Sequence, residues 1–212
     1  MKAKKILFYC LAVLLGGCVP VLSLQPLFTK QTVVFEEPLL GIWADDADEP
    51  EVTWQFARLE SGAADALPDE LEGLAGKVYR LKLRDKEARE GSLLAVLVKL
   101  DGKLFLDVFA DKFPSGEDDI EQMDLFYNAF LFVRAHTFIQ VDMAGGKLAL
   151  RLTNDDKLQT LIDAEPNAVS TLEADDRIIL TASTAALQAF VTKYAGDERV
   201  FADEVVLVRK EP

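Results

Sequence analysis

The sequence predicts a mainly β protein, an antiparallel meander that closes into a barrel or clam of eight to nine strands, with two or three short helices. Many short segments alternate between apolar and polar residues, which is the period of a half-buried strand. Gly-Gly and Asp-Gly pairs separate some of these segments, and such pairs favour two-residue hairpin turns. Helical periodicity is rare. Short strands joined mostly as neighbours are typical of a closed antiparallel meander.

The earliest predicted strands carry aromatic residues at alternate positions. Trp43 stands on the first strand, two positions after Gly41. Trp54 and Phe56 follow on the second and are separated by a polar glutamine. The third, 79–83, alternates Tyr, Leu and Leu with Arg and Lys. Alternation of this kind turns one set of side chains to the core and the other away from it.

The clearest hairpin runs from Thr137 to Thr153 and turns at Gly145-Gly146. A turn at this point determines which residues of the two strands face each other. The resulting register pairs the apolar residues of one face, namely Met143 with Leu148, Val141 with Leu150, and Ile139 with Leu152. Turn chemistry and hydrophobic parity therefore predict the same hairpin.

A second hairpin turns at Asp101-Gly102 and joins residues 93–100 to 103–110. Both of its faces are apolar. One carries Leu94, Val98, Phe105 and Phe109, and the other carries Ala95, Leu97, Leu106 and Val108. Each face therefore needs a cover, a barrel interior or second sheet on one side and a helix or a partner on the other.

Asp107 lies between Phe105 and Phe109 on an apolar face of that hairpin. A carboxylate in apolar surroundings is costly unless it is paired. Two interpretations are open for this residue, a buried structural acceptor or a polar anchor at the mouth of a cavity.

Helices are predicted in the C-terminal part of the chain. Asn154 is the expected cap of a helix over 155–163, and Ser183 is the expected cap of a helix over 184–194. Apolar residues recur at helical spacing in both. The remaining strands are predicted over 177–181 and 201–210.

The N terminus has the pattern of an export signal. Lysines at the tip precede ten uncharged residues, Ile6 to Leu15. A positive tip, a short apolar run and small residues before a processing site are typical of a secretory signal peptide. The motif Leu15-Gly16-Gly17-Cys18 resembles the bacterial lipobox. The resemblance implies that the Cys18 thiol accepts a diacylglycerol and that Cys18 becomes the first residue of the mature chain.

Two other interpretations of this segment are open. One is an ordinary cleaved signal in which Cys18 is incidental, and the other is a retained transmembrane anchor. Residues 6–29 carry no formal charge, and a spanning helix needs about 20 apolar residues. Gly16, Gly17 and Pro20 fall within that run, where they weaken a helix.

The lipobox resemblance divides the chain into a signal peptide (1–17), a lipidated cysteine with a tether (18–31) and a single β-rich domain (32–212). It implies acylation with palmitate or a similar chain. A valine, not an aspartate, follows Cys18, which implies the periplasmic face of the outer membrane in a Gram-negative host. Because Cys10 leaves with the signal, the mature chain would have no free thiol, which excludes a cysteine enzyme or a Cys-ligated metal.

The mature chain is strongly acidic. Once the three lysines of the signal peptide are removed, 20 basic residues stand against 36 acidic ones, a net charge of −16. This balance argues against nucleic acid as a partner and against docking onto anionic headgroups. A covalent lipid would hold such a body near a membrane that otherwise repels it.

The motif Gly41-Ile42-Trp43 resembles the Gly-x-Trp opening of the lipocalins. The resemblance implies a basic residue on the last strand against that tryptophan, and Arg209 is placed to match. The chain departs from the lipocalin pattern because its best helix precedes the final strand. The candidate ligand-lining or core residues are Trp43, Trp54, Phe56, Phe105, Asp107, Phe109 and Arg209.

No catalytic, metal or cofactor signature stands out, so no cofactor is expected. His136 is the only histidine and is interpreted as a strand-entry residue with an ordinary hydrogen bond. The chain has no Gly-x-Ser-x-Gly elbow, phosphate-binding loop or dinucleotide fingerprint. The sequence therefore predicts a non-enzymatic envelope lipoprotein whose β domain binds a small apolar ligand or an envelope protein. The alternatives are a structural or assembly role, or a carboxylate-based hydrolase.

Overall fold

The computed structural model describes residues 20–46, 50–59, 67, 69–111, 133–174 and 177–210. The strands are β1 (Leu22–Ser23), β2 (Val33–Val34), β3 (Gly41–Ala44), β4 (Thr53–Arg58), β5 (Val78–Arg84), β6 (Glu90–Leu100), β7 (Lys103–Ala110), β8 (His136–Ala144), β9 (Lys147–Thr153), β10 (Thr171–Ala174), β11 (Arg177–Leu180) and β12 (Phe201–Lys210). The helices are α1 (Asp155–Ala164) and α2 (Thr184–Lys193). Short 3₁₀ turns lie at Glu37–Leu39, Asp69–Leu71 and Ala75–Lys77.

Eight strands form a closed antiparallel barrel. The strands from β3 to β9 pair as neighbours in chain order, β9 pairs with β12, and β12 pairs with β3 to complete the wall. Closure removes the unpaired edges that an open sheet would leave. The predicted fold class, a mainly β meander barrel with short helices, is confirmed.

Both predicted hairpins form with the expected register. In β8–β9, Met143, Val141 and Ile139 face Leu148, Leu150 and Leu152. In β6–β7, Val98 faces Phe105 and Leu94 faces Phe109. All four turn residues have positive φ, with Asp101 at 47°, Gly102 at 77°, Gly145 at 59° and Gly146 at 74°. Positive φ at both central positions defines the turn that matches the twist of paired strands.

One face of the wall encloses a packed interior to which every barrel strand contributes. Its largest side chains are aromatic, and Leu97 and Leu106 are fully buried there. The interior members include Trp43, Trp54, Phe56, Tyr79, Leu81, Leu83, Ala95, Leu97, Leu106, Val108, Ile139, Val141, Leu148, Leu150, Leu152 and Leu207. The alternation read from the sequence is therefore the alternation between the inside and the outside of a barrel.

The opposite face of β6, β7 and β8 is also buried, beneath a second layer. This outer core contains Leu94, Val96, Val98, Phe105, Phe109 and Phe138 from the wall, with Leu158 and Leu161 of α1 and Leu187, Phe190 and Val191 of α2 packed over them. Both helices, together with β10 and β11, lie in the chain between β9 and β12. The expectation that both faces of the second hairpin are covered is confirmed.

The N-terminal segment, residues 20–34, crosses this outer face, and we call it the strap. Its strand β1 pairs in parallel with β11 and bridges to β8, and its strand β2 pairs with β6. Val21, Leu27 and Phe28 of the strap are buried. Most of the predicted tether is therefore docked on the barrel, and its packing begins at Pro20, the first residue that the structure describes, rather than at residue 32.

The helices match the sequence closely. Asn154 accepts a hydrogen bond from the Lys157 amide at 3.1 Å and caps α1, and Ser183 accepts one from the Ala186 amide at 3.4 Å and caps α2. Strands β1, β2 and β10 were not predicted. Strands β1 and β2 have two residues each and pair with strands far away in the chain, and the four residues of β10 are mostly exposed. None of the three is therefore marked by an alternation of apolar and polar residues.

Candidate functional site at the barrel mouth

One end of the barrel is closed by the segment that leads into β3. Leu39, at the 3₁₀ turn, is fully buried against the interior, and its carbonyl accepts a hydrogen bond from Trp43 Nε1 at 2.9 Å. Phe35 stacks on the Tyr79 ring with 4.6 Å between the ring centroids. The Tyr79 hydroxyl accepts from the Glu36 amide at 2.7 Å, and burial raises the pKa of Tyr79 to about 12. We call this the closed end.

Arg209 of β12 contacts the closed end from the outer side of the barrel and stabilises it. Its guanidinium carbon lies 4.7 Å from the Trp43 ring centroid. Its Nη1 donates to the Leu40 carbonyl at 2.9 Å, and Nη2 donates to the Pro38 carbonyl. Gly41 has a φ of +121°, and a Cβ there would lie 2.9 Å from Arg209 Nη1. The expected contact between Arg209 and Trp43 is confirmed, and Gly41 is the residue that leaves room for it.

The other end of the barrel, the mouth, holds an apolar cavity of about 130 Å³. Its walls combine interior side chains from β4 to β8, outer-face side chains at the end of β7 and the start of β8, and residues at the N-terminal end of the strap. The lining residues are Pro20, Leu22, Trp54, Leu81, Leu83, Leu93, Val108, Phe109, Ala110, Ala135, His136, Thr137 and Ile139. An almost wholly apolar lining with few polar side chains suits an apolar ligand.

The size of the mouth cavity limits what it can hold. Its volume is about 130 Å³. Cavities that enclose a drug-sized ligand measure about 300–1,000 Å³. The described part of the mouth can therefore receive the end of a hydrocarbon chain or a similarly small apolar group, while the rest of the interior is filled by side chains.

A buried polar cluster holds the strap beside this cavity. Asp107 is fully buried, and its Oδ2 accepts from the Leu27 amide of the strap at 2.6 Å. Its Oδ1 lies 2.7 Å from His136 Nδ1. A carboxylate oxygen can only accept, so Nδ1 carries the proton of this hydrogen bond. Phe28 of the strap packs edge-on against the His136 ring with 6.1 Å between the centroids.

The wall of the barrel separates the sequence-predicted candidates into two groups. Trp43, Trp54 and Phe56 lie in the interior, and of these Trp54 lines the mouth cavity. Phe105 and Phe109 belong to the outer core, although Phe109 also reaches the cavity lining. Asp107 does not line the cavity and is a buried structural acceptor, which is one of the two interpretations open from the sequence.

Several residues of the cavity were not singled out from the sequence. Leu83, Leu93, Val108 and Ile139 are ordinary strand residues whose pattern says only that they are apolar. Pro20 and Leu22 fall in the predicted tether. His136, interpreted as a strand-entry histidine with an ordinary hydrogen bond, is the first residue of β8, as expected, and also lines the cavity. No spacing rule would have placed these residues together, because they come from the strap and from four different strands.

Two polar pockets lie elsewhere on the surface. One, of about 490 Å³, follows the outer face of β4, β5 and β6. The other, of about 290 Å³, lies between α1 and β10–β11 and is lined by Asp155, Asp156, Gln159, Glu173, Arg177 and Ile178. Burial raises the pKa of Asp155 to about 6, and the nearby Arg177 opposes this rise. Asp155 Oδ1 is buried without a hydrogen-bond partner in the described structure.

In the part of the chain that the structure describes, no helix has the length and apolarity needed to span a membrane. Comparison of the whole chain with protein-family models, with curated proteins and with solved structures gives no significant match in any of the three.

Proposed function

We propose that this protein is an envelope lipoprotein, anchored through Cys18, whose barrel binds a small apolar ligand at its mouth. The observation that carries the binding role is the apolar cavity of about 130 Å³ at the mouth, walled by Trp54, Leu83, Val108 and Ile139. The anchor rests on the resemblance of residues 15–18 to a lipobox. The arrangement of Gly41, Trp43 and Arg209 supports a lipocalin-like barrel as the scaffold.

The anchor is tested by the variant Cys18→Ala in cells labelled with radioactive palmitate. The wild-type chain is expected to incorporate label and to fractionate with membranes. Cys18→Ala is expected to lose the label and to retain its signal peptide, because the thiol that accepts the lipid is missing. Cys10→Ala is the matched control and should label like the wild type. Equal labelling of Cys18→Ala would overturn the anchor.

Ligand binding is tested by displacement of a fluorescent fatty acid and by native mass spectrometry of the purified protein. Val108→Phe puts a larger side chain at a wall of the cavity and is expected to weaken binding at least tenfold. Val206→Phe makes the same change at a residue that is 43% exposed, outside the cavity, and should bind like the wild type. Equal loss in both variants, or no binding by the wild type, would contradict the proposal.

A second candidate, an assembly role with an envelope protein, is favoured by β10. Within the described residues, β10 pairs only with β11 and therefore presents a strand edge. Leu172 on this strand is 53% exposed. An exposed edge with an apolar side chain is a template for β-strand addition by a partner. Leu172→Lys should then abolish a cross-linked complex in cells without changing fatty-acid displacement.

A further inference from the structure

The strap determines where a lipid on Cys18 must lie relative to the barrel. Pro20 is buried and lines the mouth cavity, and its carbonyl accepts a hydrogen bond from Arg177 Nη2 at 3.2 Å. Cys18 is two residues earlier. Two residues of extended chain span at most about 7 Å. An acyl lipid on Cys18 would therefore be attached beside the mouth. The spacer from Cys18 to Pro20 is too short to place that lipid at the closed end.

The strap is too firmly held to let the barrel turn freely about this anchor. Beyond the contact of Leu27 with Asp107, the Thr184 hydroxyl donates to the Pro26 carbonyl at 2.8 Å. Gln188 Nε2 donates to the Leu27 carbonyl at 2.8 Å. The Leu24 amide donates to the Leu180 carbonyl at 3.0 Å. These bonds come from β7, α2 and β11, so the start of the strap has one position relative to the barrel axis.

We infer that the mouth is the surface that faces the bilayer, and that its cavity receives the end of an acyl chain from a membrane lipid. This inference rests on the proposed lipidation of Cys18. It names the ligand of the proposed binding site and its source. Val133, an apolar residue at the mouth, is 67% exposed. The hairpin turns at Asp101-Gly102 and Gly145-Gly146 lie at the opposite end of the barrel and point away from the membrane.

The two ends are far enough apart for a depth measurement. The eight residues of β7 run from one end to the other and, at roughly 3.3 Å per residue, extend about 25 Å. A strand tilt of about 40° leaves roughly 20 Å along the barrel axis. A membrane that touches the mouth therefore lies about 20 Å from a probe at the closed end.

Three exposed lysines provide matched probe sites. Lys86 lies in the β5–β6 turn at the mouth, and Lys103 and Lys147 begin β7 and β9 at the closed end. Lys→Cys at each position makes the same charge change. A lipidated mature chain contains no other free thiol, so a bimane label attaches only to the introduced cysteine. The full lipidated protein is placed in phosphatidylethanolamine–phosphatidylglycerol vesicles that contain spin-labelled phosphatidylcholine.

We expect quenching of the label at position 86 to be at least threefold greater than at positions 103 and 147. Equal quenching at both ends, or stronger quenching at 103 and 147, would overturn the orientation. Intact mass spectrometry of the same samples reports the Cys18 lipid. An unmodified Cys18 would overturn the anchor and the orientation together, whereas a lipidated Cys18 with the wrong quenching pattern would overturn the orientation alone.

The ligand is tested in the same vesicles with a phosphatidylethanolamine that carries a photoreactive diazirine near the end of its acyl chain. Cross-links are expected on peptides that contain Leu83, Val108 or Ile139, and Val108→Phe should reduce their yield at least fivefold. Leu93→Phe provides a second, less buried substitution in the same lining. Cross-links spread over the outer wall, or a yield unchanged in both variants, would overturn the acyl-chain assignment.

Discussion

At the scale of single residues, Asp107 shows how one buried carboxylate joins distant parts of the chain. It lies on β7, accepts from the Leu27 amide of the strap and pairs with His136 at the start of β8. The sequence indicated that this residue needs a partner, because it is the one acid among apolar neighbours. It could not indicate the partners, which are 80 residues before it and 29 residues after it.

Asp107→Ala is expected to lower the free energy of unfolding by about 2–4 kcal/mol, because it leaves the Leu27 amide and His136 Nδ1 buried without an acceptor. The Leu27 amide should also exchange its hydrogen much faster, which mass-spectrometric hydrogen exchange on residues 20–34 measures. Asp142→Ala, at an exposed position of β8, is the matched control. An unchanged exchange rate at Leu27 would show that Asp107 does not hold the strap.

Asp155 should make stability depend on pH. Burial raises the pKa of its carboxyl from 3.8 to about 6, so the folded protein disfavours the charged form. Stability from this group is fully present below about pH 4 and is lost as the pH rises through about 6. Asp155→Asn should therefore gain stability relative to the wild type between about pH 4 and pH 7.5.

Urea unfolding at the two ends of that pH range measures the difference between variant and wild type. Asp156→Asn, which removes the exposed neighbouring charge, is the control and should show a smaller change. A difference for Asp155→Asn that does not vary with pH would contradict the assigned pKa.

At the scale of elements, side-chain contacts add to the backbone hydrogen bonds that join β3 and β12, the first and last strands of the barrel. Arg209 of β12 bridges the 3₁₀ turn and Trp43 of β3, and Gly41 leaves space for its guanidinium. The sequence predicted this contact from a resemblance, and the register of β12 with β3 places Arg209 directly opposite Trp43. The hydrogen bonds to the Pro38 and Leu40 carbonyls were not predicted, because they depend on the path of the turn.

Arg209→Gln should lower the free energy of unfolding by about 2 kcal/mol, since it removes a cation–π contact worth about 0.5–1 kcal/mol and charge-assisted hydrogen bonds to two carbonyls. Tryptophan fluorescence during urea unfolding measures the loss. Lys210→Gln changes the charge equally at the next residue and should be nearly neutral. Gly41→Ala should also destabilise, because its Cβ meets Arg209 Nη1 and its φ is positive. Equal effects of Arg209→Gln and Lys210→Gln would show that the closed end does not depend on Arg209.

At the scale of the whole molecule, net charge and anchor act in opposite directions. The mature chain that the proposed anchor implies would carry a net charge of −16 and would be repelled by anionic headgroups, so only the proposed lipid would hold it at such a surface. With the proposed anchor, a barrel held by its mouth at the end of a short spacer would keep one side toward the bilayer.

Cys18→Ala protein without its signal peptide should not float with phosphatidylglycerol vesicles at low or at high salt, whereas the lipidated protein should float at both. Flotation in a density gradient at about 20 mM and about 300 mM salt measures this, because screening is weak at the first and strong at the second. Binding of the variant at low salt that disappears at high salt would reveal a cationic docking surface and would contradict the role given to the lipid.

The sequence alone determined the local features of this protein. Period-two alternation, the turns at Asp101-Gly102 and Gly145-Gly146, and the caps at Asn154 and Ser183 depend on neighbouring residues. The longer barrel strands, the register of both hairpins and both helices could therefore be predicted. Only the tertiary structure decided which apolar face is the interior, since alternation distinguishes two faces without ordering them. It also decided that the strap is docked and that the mouth holds a cavity. Those features arise where residues 20–34, β4 to β8 and α2 meet. Contacts between segments so distant in the chain produce no periodic pattern in the sequence, so the sequence alone does not predict them.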